Sequence, residues 1–362
     1  MSEVVLKKVS YGQLYENTWL VDDDRYGIAA FVDENVRRTF LQSPNNNNPE
    51  KTAVLLALDG GIIVGRHLLY GTKIRVGGAT IKAQSSGCTE VHESQRGKGI
   101  GSKINKWTLN NDEYPLYICS LLSPACLHIM EKKENACTII KFPELIKIIN
   151  IKSAFVCRGI RGRALKLCKG ISDIFLWAVN IPAYAKLAKL IKKYYVKKED
   201  DIPIWAEDMC MNDGHKYAEL HDNAWLRWNL NHNLTGKPQD KQSFYSIYKG
   251  NVPVGFFFTK ERLRDDVSSE MIIGTICEWA TTDNELTEAD INLLAFDTFD
   301  RNCYYIRTIT NNPKIVKKLR KLGYVRHGEM QMGFKDKLGQ FPDMVDQSNW
   351  RIRFGCCNSI LY

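Results

Sequence analysis

The sequence predicts an α+β protein of two lobes, each a mixed, mostly antiparallel sheet flanked by helices, joined by a basic helical segment. Three observations carry this expectation. An order of hairpin, strand and helix occurs twice, once within residues 1–140 and again within 203–362. In the first copy a glycine-dense turn leads from strand to helix. Between the copies, residues 141–198 carry fourteen Lys plus Arg against two acids, Glu144 and Asp173, so about +12 of charge sits in roughly one sixth of the chain. A length of 362 residues allows two or three domains, each with its own core.

In chain order, residues 4–9 read as a strand, and 14–20 and 26–41 show helical spacing. A polar Asn- and Pro-rich loop follows at 43–49. Residues 52–58 and 62–70 are β-rich runs around Asp59-Gly60-Gly61, a hairpin signal. Residues 79–83 and 87–91 supply the next strand. It runs into the turn and a helix over 98–110, then a strand at 116–122 and a helix at 124–133.

The glycine turn reads Glu90-Val91-His92-Glu93-Ser94-Gln95-Arg96-Gly97-Lys98-Gly99-Ile100-Gly101-Ser102. Glycines at 97, 99 and 101 let backbone approach a ligand, so peptide N–H groups can converge on phosphate oxygens at a helix N-terminus. The spacing fits neither GxxxxGK[ST] nor GxGxxG. It matches RxxGxG at Arg96, Gly99 and Gly101, and this resembles motif A of the GNAT acyltransferases. The resemblance implies two GNAT-like lobes. It also implies that acetyl-CoA or another acyl-CoA is bound through Val91, Arg96, Gly97, Lys98, Gly99, Ile100, Gly101, Ser102 and Ser123, with Val91 meeting the pantetheine arm by its backbone. In that family the strands either side of this helix splay apart to form a slot.

Many GNAT proteins close the lobe with a pattern like NxxAxxxYxxxGF, whose tyrosine protonates the leaving thiolate. Here Met130 stands in the tyrosine position and has no proton to give; His128 is a possible substitute. The attacking amine must be unprotonated, which calls for a base. Glu90 and His92 flank Val91, and strand alternation puts both on one face, so either is the expected base.

In the second copy, residues 243–248 and 254–259 flank Lys249-Gly250-Asn251 as a hairpin, followed by a strand at 271–280, a helix at 288–300 and a strand at 303–310. Asn312 to Tyr324 resembles the closing pattern, with Leu319 in the tyrosine position. Where the cradle would lie the chain has Thr281-Thr282-Asp283-Asn284-Glu285-Leu286-Thr287-Glu288-Ala289-Asp290, without glycine and with four carboxylates, which oppose a pyrophosphate. One acyl-CoA site per chain is therefore expected. Residues 223–233 are similar to a segment of some GNAT-type proteins linked to surface polysaccharides.

Within the connector, Tyr184, Leu187, Leu190, Ile191 and Tyr194 share a face, opposite Lys186, Lys189, Lys193 and Lys197. Three readings stand: an inter-lobe helix with solvated lysines, a contact with anionic membrane through 183–198, or nucleic acid. The last is disfavoured by the lack of zinc ligands, an RNP-type sheet motif or a helix-turn-helix. Arg158, Arg161 and Arg163 are further candidates for the adenosine phosphates.

The eleven cysteines include no CxxC pair, so free thiols and no metal are expected, with Cys356 and Cys357 as the one adjacent pair. The first eight residues show no basic region followed by a long apolar core, and a cytoplasmic protein is expected. The resemblance implies transfer of an acetyl group from CoA to an amine, in a small molecule or a glycan precursor. The alternatives are transfer of a larger acyl or aminoacyl group, and a non-catalytic membrane-surface protein that keeps a relic CoA site.

Overall fold

The computed structural model describes residues 3–17, 26, 28–29, 34–120, 122–132, 137–232, 240–264, 267 and 271–356. Cys357 and parts of the expected N-terminal helices lie outside them. The first half contains β1 (Val5–Ser10), α1 (Tyr11–Tyr15), α2 (Glu34–Leu41), β2 (Thr52–Asp59), β3 (Ile62–Val76), β4 (Ala79–Val91), α3 (Ile100–Asn110), β5 (Leu116–Ser120), α4 (Pro124–Lys132) and β6 (Thr138–Ile148). A capping box between Ser10 and Gln13 starts α1. The β2–β3 turn needs its two glycines, because Gly60 and Gly61 have φ of 61° and 89°.

The middle holds α5 (Lys152–Cys157), α6 (Gly162–Leu190), β7 (Tyr195–Glu199), α7 (Trp205–Met211), β8 (Tyr217–Glu219) and α8 (Asn223–Asn231). The last part holds β9 (Lys241–Lys249), β10 (Val252–Leu263), β11 (Ile272–Thr281), α9 (Glu288–Thr298), β12 (Cys303–Ile309), α10 (Pro313–Lys321), β13 (Val325–Asp336) and β14 (Trp350–Arg351).

The strands run β1-β2-β3-β4-β5-β13-β6-β12-β11-β10-β9-β7, with β8 and β14 off this path. The two sheets are thus joined edge to edge, and the halves exchange strands at the join. β13 comes from the end of the chain yet pairs with β5, Met332 opposite Ser120 through Asp336 opposite Leu116. β6 comes from the first half and pairs with β12. The stretch expected to be a helical connector therefore contains strand at both ends, most of β6 and all of β7. Ile140 and Phe142 alternate onto one face of β6, and Leu145, of opposite parity, is buried in the core on the other face, so the strand is covered on both sides. The basic helix also ends early: α6 stops at Leu190, and Tyr195–Glu199 instead pairs with β9.

Apolar side chains from both halves meet in one cluster that includes Phe40, Val54, Leu56, Trp225, Trp228, Phe244 and Phe256. Tight packing recurs under β11, where a Cβ on Gly274 would fall 2.6 Å from the Phe299 ring and 2.7 Å from Ile306. Gly274→Ala is expected to lower stability by about 1–3 kcal/mol through overpacking, read as a fall in the urea midpoint with an unchanged slope.

Candidate functional site

β4 and β5 pair in parallel over only three residues, Ala83–Leu116, Gln84–Tyr117 and Ser85–Ile118. Beyond Ser85, β4 stays with β3 as far as Val91, but through a bulge. Leu68 faces Gly87 and Arg66 faces Glu90, so Cys88 and Thr89 together oppose His67. Cys88 takes the positive φ of 50° that the extra residue requires. The bulge bends β4 away from β5 and opens a slot of about 340 Å³, lined by His67, Ser86, Cys88, Thr89, Cys119, Ser120, Ser123, Cys126 and Met130 among others.

The slot leads into a groove of about 570 Å³ along Glu90, Val91, Arg96, Gly97, Gly99, Ile100, Gly101, Ser102 and Ser123. Gly97 and Gly99 have φ of 83° and 79°, which side-chain-bearing residues adopt rarely. The first amide of α3 bonded within the helix is that of Lys103, which donates to the Gly99 carbonyl at 3.0 Å. This leaves the N–H groups of Ile100, Gly101 and Ser102 at the positive end of the helix dipole, turned to the groove. Arg96 donates from Nε to the Val91 carbonyl at 3.2 Å, and Lys98 donates to Gln95 Oε1 at 2.6 Å, so both cations lie at the rim. Ser123 caps α4, accepting from the Cys126 N–H at 3.2 Å. The structure thus places eight of the nine expected cofactor residues along one groove; Lys98 does not line it, and its side chain points to Gln95. The donor set fits a pyrophosphate, because backbone N–H groups and a helix N-terminus bind anions without needing a carboxylate partner.

The expected bases have other partners. Glu90 is ion-paired with Arg66 and its side chain is about half exposed. His92 caps a short 3₁₀ turn, its Nδ1 sharing a 2.8 Å hydrogen bond with the Ser94 hydroxyl, and its ring lies 4.5 Å from that of Tyr26. His128 is exposed and lines neither the slot nor the groove. Met130 is buried at the slot wall with Cys119 donating to its sulfur at 3.7 Å.

The residue that sequence reading missed is His67. It is 1% exposed, its Nδ1 lies 2.7 Å from Thr89 Oγ1, and its Nε2 has no hydrogen-bond partner among the described residues. Burial pulls its pKa down to about 4, so the imidazole is neutral at physiological pH. Burial pushes the Cys126 thiol up to about 12, and contact with Cys137 together with burial raises that of Cys119. Neither is a thiolate at neutral pH, the form a sulfur nucleophile needs.

The second half has the matching divergence, between β11 and β12 after Thr275, but the chain fills it. The Gly355 N–H donates to the Cys277 carbonyl at 2.8 Å, Arg353 stacks 3.5 Å from the Trp279 ring centre, and Arg307 lies 4.6 Å from that of Phe354. Arg351 reaches Glu278 at 3.3 Å and Asp213 at 3.1 Å. Although burial pushes Glu278 up, the charges of Arg351 and His221 hold it at about 2. At α9 a capping box joins Thr287 and Asp290, the Asp290 carboxylate accepting from the Thr287 N–H at 3.1 Å, so a carboxylate stands at the helix N-terminus where a phosphate would lie. Glu219, His221 and Cys356 lie within 4.8 Å of one another. Burial alone would lower the His221 pKa, but the carboxylates of Glu278 and Glu219 raise it.

No family model and no curated protein matches this chain. Solved structures do. A GCN5-related N-acetyltransferase from Anabaena variabilis aligns with 92% of this chain and 73% of its own, at 10% identity and a TM-score of 0.52. The chain has a GNAT-type fold. An N-myristoyltransferase from Saccharomyces cerevisiae, solved with myristoyl-CoA and inhibitors, aligns over 93% of this chain and 81% of its own, at 11% identity and a TM-score of 0.57. A probable N-acyltransferase from Enterococcus faecalis aligns over 94% and 74%, at 11% identity and a TM-score of 0.53. Within this GNAT-type fold, the glycine turn before α3, the slot and His67 lie together in the first half.

Proposed function

We propose that this protein is an acyl-CoA-dependent N-acyltransferase that binds one acyl-CoA per chain and passes the acyl group directly to an amine. The observation that carries the reading is the continuity of an anion cradle at α3 with the strand-splayed slot, whose wall holds a neutral imidazole with one nitrogen unpartnered among the described residues. The N–H groups of Ile100, Gly101 and Ser102 would hold the pyrophosphate, and the β4 edge near Val91 would lie beside the pantetheine arm. The acyl-CoA supplies the thioester carbonyl that the amine attacks.

His67 would receive the proton. His67 lines the slot, and with Nδ1–H donated to Thr89 its buried Nε2 lone pair is left without a partner among the described residues. A base of pKa about 4 cannot strip a free ammonium, since a gap of about five pKa units costs roughly 7 kcal/mol. The amine therefore arrives neutral, and His67 takes its proton only as the C–N bond forms and the nitrogen becomes acidic; the C–S bond then breaks, and CoA leaves as a thiolate that takes the proton from His67. With neither Cys119 nor Cys126 ionised, direct attack is simpler than transfer through a cysteine.

The likeness to N-myristoyltransferase supports a second version, with a longer acyl donor. Donor and acceptor are both tested by incubating the full chain with acetyl-, octanoyl- or myristoyl-CoA and a panel of peptide, small-molecule and amino-sugar amines. Free CoA and acylated amine are followed by mass spectrometry. Amine-dependent CoA release with one donor class is expected. Absence of both binding and release with every donor would leave the groove as a relic.

A further inference from the structure

The long helix α6 presents a surface that the reaction does not use. Its last third packs on the second half, burying Asn180, Ala183, Leu187 and Leu190, with Tyr184 ring to ring with Phe296 at 6.3 Å. Three of the six lysines between 183 and 198 are paired. Lys186 pairs with Asp290 at 3.1 Å, Lys193 with Glu285 and Lys197 with Glu199, and the Tyr194 hydroxyl donates to Asp283 at 3.0 Å. The 183–198 stretch, expected from its pattern as a membrane contact, is thus partly spent on docking the helix.

The outer part of the same helix is different. Leu167, Ile171, Ile174, Phe175 and Trp177 are each 61–70% exposed, and Val179 and Ile181 add to them. At 100° per residue these side chains span more than half of the helix circumference. Lys166, Lys169 and Asp173 lie together on the remaining side, and Lys169 pairs with Asp173 at 2.5 Å. At the N-terminal end of the stripe stand Arg158, Arg163 and Lys166, all exposed and without a carboxylate partner among the described residues. No described helix is long and apolar enough to cross a membrane.

We propose that this outer surface of α6 docks the protein on an anionic phospholipid membrane, lying in the headgroup plane. The apolar band supplies insertion, and Trp177 and Phe175 are suited to the interface between headgroups and acyl chains. Arg158, Arg163 and Lys166 supply attraction to anionic lipid. A second copy of the chain fits less well. A paired-helix seam is a narrow stripe, whereas this band is broad, and two copies would bring cationic chains of net charge +9 together.

The test is co-sedimentation of the full chain with vesicles of phosphatidylcholine alone or with 30% phosphatidylserine. It compares the native protein with Ile174→Glu/Trp177→Glu and with Arg158→Ala/Arg163→Ala/Lys166→Ala. All these side chains are exposed, and unchanged far-ultraviolet circular dichroism and melting confirm that the variants fold. Binding to the anionic vesicles only is expected, weakened at least tenfold by either set of substitutions and by 0.5 M salt. The proposal is overturned by no sedimentation with anionic vesicles, or by binding that neither set changes. It is equally overturned if light scattering shows a dimer that Ile174→Glu/Trp177→Glu dissociates and no vesicle binding, which would make the stripe an interface between copies.

Discussion

His67→Gln is expected to lower kcat by about a hundredfold or more, the usual worth of a positioned proton acceptor, while leaving the acyl-CoA dissociation constant within about twofold. Steady-state kinetics with the best amine, beside calorimetric titration of the acyl-CoA, checks both. A residue that merely filled space would move binding and stability and leave no such split. The pH behaviour separates the readings further. Because His67 stays neutral down to about pH 4, no rising limb near pH 6.5 should appear in kcat/KM. The limb should follow the pKa of the acceptor amine and shift when the acceptor is changed. Stability gives an independent sign. The unfolded imidazole gains a proton below about pH 6.5, whereas the folded one does so only near 4. Native stability is therefore lost as pH falls through that window, by roughly 3 kcal/mol from this group. His67→Gln should flatten the urea midpoint between pH 6.5 and 4 relative to the native protein. An unchanged kcat would remove His67 from the chemistry.

The contrast between the cradle and His67 shows what a sequence makes legible. The proposed cradle is local: Gly97, Gly99 and Ser102 would act through their own backbone and the helix that follows, so spacing alone points to them. His67 lies in the apolar run of β3, and only a bulge on the neighbouring strand turns it into a slot residue. The available signal was the polar pair Arg66-His67 inside the apolar run from Ile62 to Leu69, and it reads as well for a satisfied core histidine. Glu90 and His92 looked like bases because alternation places them beside the slot, but alternation does not show that Arg66 and Ser94 take them up.

Long-range pairing was equally hidden. No strand is predicted at Val325–Asp336, where the hydrophobic pattern of β13 suits β5 and β6 as well as any partner within the second half. Ile352 and Phe354 alternate with Arg351 and Arg353 as in an ordinary edge strand. Nothing local shows that this segment fills the second divergence and neutralises Glu278. On α6 the apolar pattern of 184–194 and that of 167–181 are alike in sequence. Burial distinguishes them: the first packs at Leu187 and Leu190, and the second stands in solvent.

Gly99→Asp is expected to weaken acyl-CoA binding at least a hundredfold with little change in stability. The two effects separate because the substitution acts on the empty and the bound protein in opposite senses. Gly99 is the N-cap of α3 at a φ of 79°, and a side chain there costs about 1–2 kcal/mol in left-handed backbone. An aspartate at an N-cap, however, accepts from the free amides and meets the positive end of the helix dipole, contributing a comparable amount in return. The carboxylate thus takes the donors that the pyrophosphate needs and adds repulsion to its charge. Gly101→Ala is the control, since its Cβ would sit at an ordinary 3.7 Å from Ile129 Cδ1 and its backbone carries no positive φ. That variant should melt within a degree or two of the native protein, so any loss of binding reports on the ligand alone. Calorimetry should give one site per chain for the native protein and no detectable heat for Gly99→Asp. If Gly99→Asp instead bound acyl-CoA as the native protein does, the pyrophosphate would not sit at the α3 N-terminus, and the resemblance to motif A would carry no function in this chain.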